Sequence, residues 1–172
     1  VKGIDILLHA IKILKDKPGL KKISFVIMGV DFGFQNQMMQ MINDLGIKER
    51  IHLITNPSRD DVIAAYDESE FLVLPSRWEL SPLTPLEGFA FKKPVISTNV
   101  HGIPFTITNR QNGILVKNED FHELAEAIME LINDKQKCLE YGLSGYNLVK
   151  TECNSKAMAE KTLRMYNQII NR

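Results

Sequence analysis

The sequence is poor in cysteine and has no long apolar run, and both features exclude classes of protein. Cys138 and Cys153 are the only cysteines in 172 residues and form no C-x-x-C pair. A disulfide framework and a zinc site are therefore disfavoured, and a reducing cytoplasmic compartment is expected. No apolar stretch approaches the roughly 18 residues of a membrane span. Basic and acidic residues balance at 21 each, so charge gives no reason to expect nucleic acid as a partner.

Two ligand-binding motifs are also missing. Gly29 and Gly33 do not complete a G-x-G-x-x-G pattern, so the fingerprint of a nicotinamide oxidoreductase is absent. No D-x-D run is present to hold Mg²⁺ or Mn²⁺ against a diphosphate. The four histidines form no H-x-x-x-H pair. The sequence therefore predicts no metal and no cofactor.

Predicted strands and helices alternate along the chain up to residue 116. Short apolar runs predict five strands, at residues 23–28, 51–54, 71–74, 94–97 and 113–116. With right-handed crossovers, this order predicts an α/β fold: a doubly wound, Rossmann-like parallel sheet with helices on both faces. Residues 1–172 are expected to form one domain that ends in a helix at 155–170.

The stretch from Pro75 to Glu87 is the most informative part of the chain. It follows the predicted strand at 71–74 and leads into a predicted helix, with Ser81 as N-cap and Pro82 at the first helical position. In a parallel sheet, ligands bind where the carboxyl end of a strand faces a helix N-terminus, and the exposed N–H groups there favour phosphate. Glu79 and Glu87 have the spacing to hold opposite ends of a nucleotide sugar. The same spacing also fits two ordinary solvated acids.

These residues resemble a known donor-site motif. Glu79 and Glu87, preceded by Leu74-Pro75-Ser76 and followed by Lys93-Pro94-Val95-Ile96, resemble the motif of glycosyltransferase family 4, whose members are retaining enzymes of the two-domain GT-B architecture. The likeness extends from Lys2-Gly3 to about Ile132 and is to the C-terminal, donor-binding half. It implies transfer of a sugar from a nucleotide diphosphate sugar, with uridine the expected base. The implied acceptor is a carbohydrate or lipid-linked glycan, in bacterial surface polysaccharide, O-antigen or lipopolysaccharide synthesis.

The resemblance implies two catalytic residues and two further ligand contacts. Lys2 would neutralise the departing diphosphate, and Glu79 would contact the transferred sugar. Glu87 would hold both ribose hydroxyls, since a carboxylate has two accepting oxygens. Gly29 would let the backbone pass close to the nucleotide, although the simpler explanation is a turn that needs positive φ.

The residues next to Glu79 are expected to complete the donor site. The backbone N–H groups of Leu80, Ser81 and Leu83 would form the phosphate cradle, to which Pro82 contributes no donor. Trp78 is either a packing residue or a wall of the donor pocket. With Lys2 and these N–H groups opposing the phosphate charge, no metal is required.

Three residues depart from the family pattern. Lys92 stands where glycine usually ends the helix, His101 replaces the first residue of a typical Gly-Gly pair, and Phe105 stands where an acid is common. These departures leave open a non-catalytic, degenerate nucleotide-sugar-binding module. A nucleotide-sugar epimerase of the same architecture is the other alternative.

The chain begins at Val1 with no initiator methionine and enters a helix almost at once, which predicts a piece of a larger protein. The expected missing part is an N-terminal domain that holds the acceptor, so the fragment alone should transfer little or no sugar. Tyr166 and Ile169–Ile170 of the last helix are expected to dock that domain. Any peripheral attachment of the full-length protein to the inner face of the membrane is expected to reside there as well.

Overall fold

The computed structural model describes residues 1–18, 20 and 23–170, so residues 19, 21, 22, 171 and 172 of the predicted domain lie outside the described residues. The helices and strands of the described part follow one another as α1 (Ile4–Leu14), β1 (Phe25–Gly29), α2 (Gln35–Asp44), β2 (Ile51–Thr55), α3 (Arg59–Glu68), β3 (Leu72–Leu74), α4 (Thr84–Ala90), β4 (Val95–Thr98), β5 (Gly113–Val116), α5 (Phe121–Asn133), α6 (Lys135–Thr151) and α7 (Ser155–Ile170). Within these residues, no helix is long and apolar enough to cross a membrane.

All strand pairs among the described residues are parallel, as predicted. Strand β1 pairs with β2, with Phe25 opposite Ile51, and a second sheet has the order β3-β4-β5. The two sheets share one hydrophobic core, because Ile27 of β1 and Ile96 of β4 belong to the same buried cluster. Helix-covered parallel strands confirm the α/β prediction.

Helices cover both faces of the three-stranded sheet. Val95 and Ile96 are neighbours on β4 and both are fully buried, although consecutive strand residues point to opposite faces. Val95 packs in a cluster with Phe89 of α4 and Leu148 of α6. Ile96 packs instead in the cluster that contains Leu8 of α1 and Ile128 of α5. The predicted two-sided covering of the sheet is therefore correct.

The predicted start of α4 was wrong. The helix begins at Thr84, and Ser81 and Pro82 lie in the loop before it. A helix capped by Ser81 would place Pro85 at its fourth position, where the N–H group must donate the first helical hydrogen bond. Proline has no N–H group, so this start is excluded, whereas Pro85 fits the first turn of a helix that starts at Thr84.

Candidate functional site

Lys2 and Glu79 meet at the carboxyl end of β3. Lys2 Nζ donates a 2.6 Å hydrogen bond to Glu79 Oε1, and the buried Ser76 hydroxyl donates a 2.8 Å bond to the same oxygen. The Glu79 side chain is 11% exposed, whereas that of Lys2 is 64% exposed. The carboxylate is therefore held in place, and the ammonium group remains open to a ligand.

Oε2, the other carboxylate oxygen of Glu79, accepts no hydrogen bond from the part of the chain that the structure describes. Among the described residues no hydrogen bond reaches Oε2, and no buried side-chain polar atom lacks a partner. This oxygen therefore lies where solvent or a ligand can reach it. A carboxylate oriented through one oxygen and open at the other is suited to accept a hydrogen bond from a hydroxyl group of a ligand.

Gly3 determines where Lys2 lies. Its φ is 66°, and a Cβ atom on it would come within 1.8 Å of the Pro75 carbonyl oxygen. Only glycine allows the two backbones to approach so closely. The contact is reinforced by the Arg77 N–H group, which donates to the Val1 carbonyl at 2.8 Å. The Lys2-Gly3 segment is thus joined directly to the loop that contains Glu79.

Arg77 is a structural residue of this site that the sequence did not reveal. Its guanidinium donates two hydrogen bonds to Asp5, at 2.7 and 2.6 Å, and also pairs with Glu119. The bonds from Arg77 hold the pKa of Asp5 below its usual value. The partners lie 72 and 42 positions away, so no local pattern predicts them. Arg77 thereby ties the start of α1 to the loop after β5.

The loop from Leu80 to Leu83 presents free N–H groups. Leu80, Ser81 and Leu83 are exposed and Pro82 is buried. Among the described residues, the N–H groups of the three exposed residues donate to no protein acceptor. Gly102 supports the loop from behind: its N–H group donates to the Glu79 carbonyl at 2.9 Å, and a Cβ atom there would overlap the Leu80 carbonyl.

Trp78 and His101 are two exposed aromatic residues close to the Leu80–Leu83 loop. Trp78 is 49% exposed, and its ring centroid lies 6.0 Å from that of His101. About half of the Trp78 surface is therefore packed against the protein, and its role as a wall of the donor pocket stays a prediction. His101 has a φ of 42°, a left-handed conformation that favours glycine.

Glu87 lies on α4 and is hydrogen-bonded to a residue of α3. Its Oε2 atom accepts a 2.6 Å hydrogen bond from the Tyr66 hydroxyl. Among the described residues it forms no ion pair and has no hydrogen bond to Lys2 or Glu79. The structure therefore brings Lys2 and Glu79 together and leaves Glu87 as a separate, exposed carboxylate.

An open cleft of about 760 Å³ lies between the N-terminal segment and the end of β1. Of the predicted site residues, Lys2 and Gly29 line it, together with Phe32, Phe34 and Arg77. The predicted turn explanation for Gly29 is wrong: its φ is not in the positive region, and a Cβ atom there would meet nothing within 4 Å. Gly29 faces open space instead.

The start of α2, on the far side of the cleft, is already capped. Asp31 Oδ1 accepts hydrogen bonds from the N–H groups of Gly33, Phe34 and Gln35, at 2.9 to 3.1 Å. These donors are therefore occupied by a carboxylate and not presented to a ligand. The described part of the chain also contains no group of three potential metal ligands.

Comparison with known proteins matches this chain to glycosyltransferases. Residues 1–148 match the family model described as glycosyl transferases group 1. An uncharacterized glycosyltransferase of Methanocaldococcus jannaschii is 31% identical over 156 residues, which cover 87% of this chain and 40% of that protein. The capsular polysaccharide biosynthesis glycosyltransferase CapM of Staphylococcus aureus is 27% identical, over 98% of this chain and 43% of its own length.

A solved structure has the same fold. The crystal structure of the C-terminal domain of LpcC, a glycosyl transferase group 1 family protein of Francisella tularensis, matches with a TM-score of 0.79 and 26% identity, over 90% of this chain and 80% of that one. This chain spans about two fifths of the length of the two curated relatives.

Proposed function

Since this chain belongs to the glycosyl transferases group 1 family, we propose that it is the donor-binding domain of a retaining family 4 glycosyltransferase. The whole enzyme moves a sugar from a nucleotide diphosphate sugar, with uridine as the base, to a carbohydrate or lipid-linked acceptor. The acceptor is held by a part of the enzyme outside this chain. The relative CapM, named for capsular polysaccharide biosynthesis, supports a role in surface polysaccharide synthesis, of which lipopolysaccharide is one form.

The 2.6 Å contact between Lys2 Nζ and Glu79 Oε1 is the observation on which the proposal depends. It places the Lys2 ammonium group, which is proposed to bind the departing diphosphate, next to the Glu79 carboxylate, which is proposed to bind the transferred sugar. The exposed side of Lys2 is free to meet the diphosphate, while Ser76 and Lys2 leave Glu79 Oε2 open for a sugar hydroxyl.

The departing diphosphate is stabilised by fixed positive groups. As the bond to the anomeric carbon breaks, negative charge grows on the phosphate oxygens. Lys2 and the N–H groups of Leu80, Ser81 and Leu83 oppose that charge without rearranging. Because α4 begins only at Thr84, the loop itself supplies the donors. The proposed reaction uses no metal and no cofactor.

Glu87 is assigned to the ribose, and Gly29 and Trp78 to the walls of the donor site. The open space at Gly29 supports close passage of the nucleotide past the backbone. The proposal places the full-length protein in the cytoplasm, peripheral to the inner face of the membrane. Both cysteines are free thiols, which supports the cytoplasmic part of that proposal.

Calorimetric titration of the chain with UDP, GDP and ADP tests this proposal. We expect UDP to bind and the Glu87→Ala variant to lose about tenfold or more in affinity, equivalent to about 1.4 kcal/mol for one charged hydrogen bond. Glu126→Ala, at an exposed position of α5, is the matched control and should bind like the wild type. Binding of none of the three diphosphates, or equal affinity in all variants, would overturn the proposal.

A degenerate, non-catalytic binding module is the second candidate function. The observation that favours it is the presence of Lys92 and His101, rather than glycine, at two left-handed positions. This candidate predicts that Glu79→Gln in the full-length protein leaves turnover unchanged, whereas the donor-domain proposal predicts its loss.

A further inference from the structure

Tyr66 and Glu87 connect two helices that flank the proposed donor site. Tyr66 lies near the end of α3 and Glu87 lies in α4, 21 positions later. The Tyr66 hydroxyl donates to Glu87 Oε2 at 2.6 Å. A bond of this length to a carboxylate is typical of a strong, charge-assisted hydrogen bond.

A second contact fixes the ring of Tyr66. Phe91 is the residue directly after α4 and follows Glu87 by four positions, about one helical turn. The Tyr66 and Phe91 rings stack with centroids 5.5 Å apart and planes 22° apart. The stack holds the ring while the hydroxyl reaches the carboxylate, and Tyr66 is half-buried as a result.

The hydroxyl remains a donor over the working range of pH. Burial, followed by the hydrogen bond to Glu87, raises the pKa of Tyr66 well above its ordinary value. The phenol is therefore protonated at neutral pH and donates continuously to the carboxylate. This bond occupies one of the accepting positions on Oε2 and fixes the plane of the carboxylate.

We propose that Tyr66 is a positioning residue that orients the Glu87 carboxylate toward a vicinal diol, and so sets selectivity for a ribonucleotide over a 2′-deoxyribonucleotide. The inference rests on the proposed function, in which Glu87 holds the ribose. Both ribose hydroxyls must donate to the two carboxylate oxygens of Glu87 at the same time. A freely rotating carboxylate would therefore lose part of the binding free energy that the second hydroxyl contributes. Selectivity for the diol is the property that Tyr66 controls.

The test compares UDP with 2′-deoxyuridine diphosphate by calorimetry. Tyr66→Phe removes the hydroxyl and keeps the ring that stacks on Phe91. We expect the wild type to prefer UDP, Tyr66→Phe to reduce the ratio of the two dissociation constants at least threefold, and Glu87→Ala to bring it close to one. Tyr146→Phe removes the same group elsewhere, where the ring lies 5.2 Å from Lys92 Nζ, and should leave the ratio unchanged.

The outcomes separate the inference from the function on which it rests. If the wild type prefers UDP and Glu87→Ala abolishes the preference, but Tyr66→Phe retains it, the inference is overturned and the proposed function stands. A purely structural Tyr66 would weaken both ligands equally and also leave the ratio unchanged. If the wild type binds neither ligand or does not distinguish them, the ribose role of Glu87 fails, and the inference fails with it.

Discussion

Lys2 Nζ lies 2.6 Å from Glu79 Oε1, although 77 positions separate the two residues. The ammonium group is the exposed member of this pair, so it can bind a second anion without breaking the first contact. A residue that neutralises a diphosphate should matter more for UDP than for UMP, because the outer phosphate is absent from UMP.

The first prediction follows from that difference. Lys2→Met should raise the dissociation constant for UDP about tenfold, since a charge-assisted hydrogen bond contributes about 1.5–3 kcal/mol, and should change that for UMP much less. Lys12→Met, at an exposed position of α1, is the control. Calorimetry with both nucleotides checks the prediction, and an equal loss for UDP and UMP would contradict it.

The second prediction separates two glycines that play different parts. Gly3→Ala should lower the free energy of unfolding by more than about 2 kcal/mol, because the left-handed backbone costs about 1–2 kcal/mol and the new methyl group would overlap the Pro75 carbonyl. Gly29→Ala should change it by less than about 0.5 kcal/mol, because its Cβ atom meets nothing within 4 Å. Urea denaturation measures both.

Gly29→Ala has an additional expected result. If the nucleotide passes close to this backbone, the variant should fold normally and bind UDP more weakly. A variant that is stable and binds UDP like the wild type would contradict the role proposed for Gly29.

The third prediction concerns the end of α4. Lys92 has a φ of 58°, its N–H group donates to the Phe89 carbonyl, and the next N–H group donates to the Gly88 carbonyl, both at 2.9 Å. This is a Schellman motif with lysine where glycine is usual. Lys92→Gly should be more stable than Lys92→Ala by about 1 kcal/mol, because only alanine retains the strained Cβ atom.

An opposite result is expected inside an ordinary helix. At Lys12 of α1, glycine should be less stable than alanine by about 0.8–1 kcal/mol. Urea denaturation of the four variants tests the reversal of sign. The same sign at both positions would show that Lys92 is not strained.

The fourth prediction is a pH dependence at the Asp5–Arg77 pair. Arg77 lowers the pKa of Asp5 in the folded protein, so folding favours the ionised carboxylate. The pair's contribution to stability is fully present above the unfolded pKa of about 3.9 and is lost as the pH falls through the lower folded pKa. The stability difference between wild type and Asp5→Asn should therefore shrink below about pH 4.

Urea denaturation, carried out from pH 6 down to the lowest pH at which the protein remains folded, measures the stability difference between wild type and Asp5→Asn. Asp67→Asn removes an exposed acid of α3 that has no ion pair among the described residues, and it serves as the control. A difference between wild type and Asp5→Asn that stays constant with pH would contradict the assignment.

Local patterns in the sequence predicted most of the fold. Ser58 and Asp61, three positions apart, form a capping box at the start of α3, with the Asp61 N–H group donating to the Ser58 hydroxyl at 3.1 Å. The strand at Gly113–Val116 and the helix at Ser155–Ile170 have the predicted bounds. Such features depend on residues three or four positions apart, or on alternation along a strand, and can be recognised without the structure.

The start of α4 was predicted wrongly although the residues that decide it are local: Pro82 and Pro85 compete for the first helical turn, and the pattern alone favoured the earlier one. Features that depend on distant residues were not predictable from local patterns. Arg77 and Tyr66 were missed because their partners lie 72 and 21 positions away. Lys2, Glu79 and Glu87 were predicted as site residues from the resemblance to a family, and only the structure shows the residues that contact them.

Amide NMR of the ¹⁵N-labelled chain during titration with UDP tests the central claim most directly. We expect saturable shifts at Lys2 and at the free N–H groups of Leu80, Ser81 and Leu83, with α7 unchanged. That result would establish a diphosphate site at the carboxyl end of β3. Absence of saturable shifts, or shifts confined to other parts of the chain, would contradict the account.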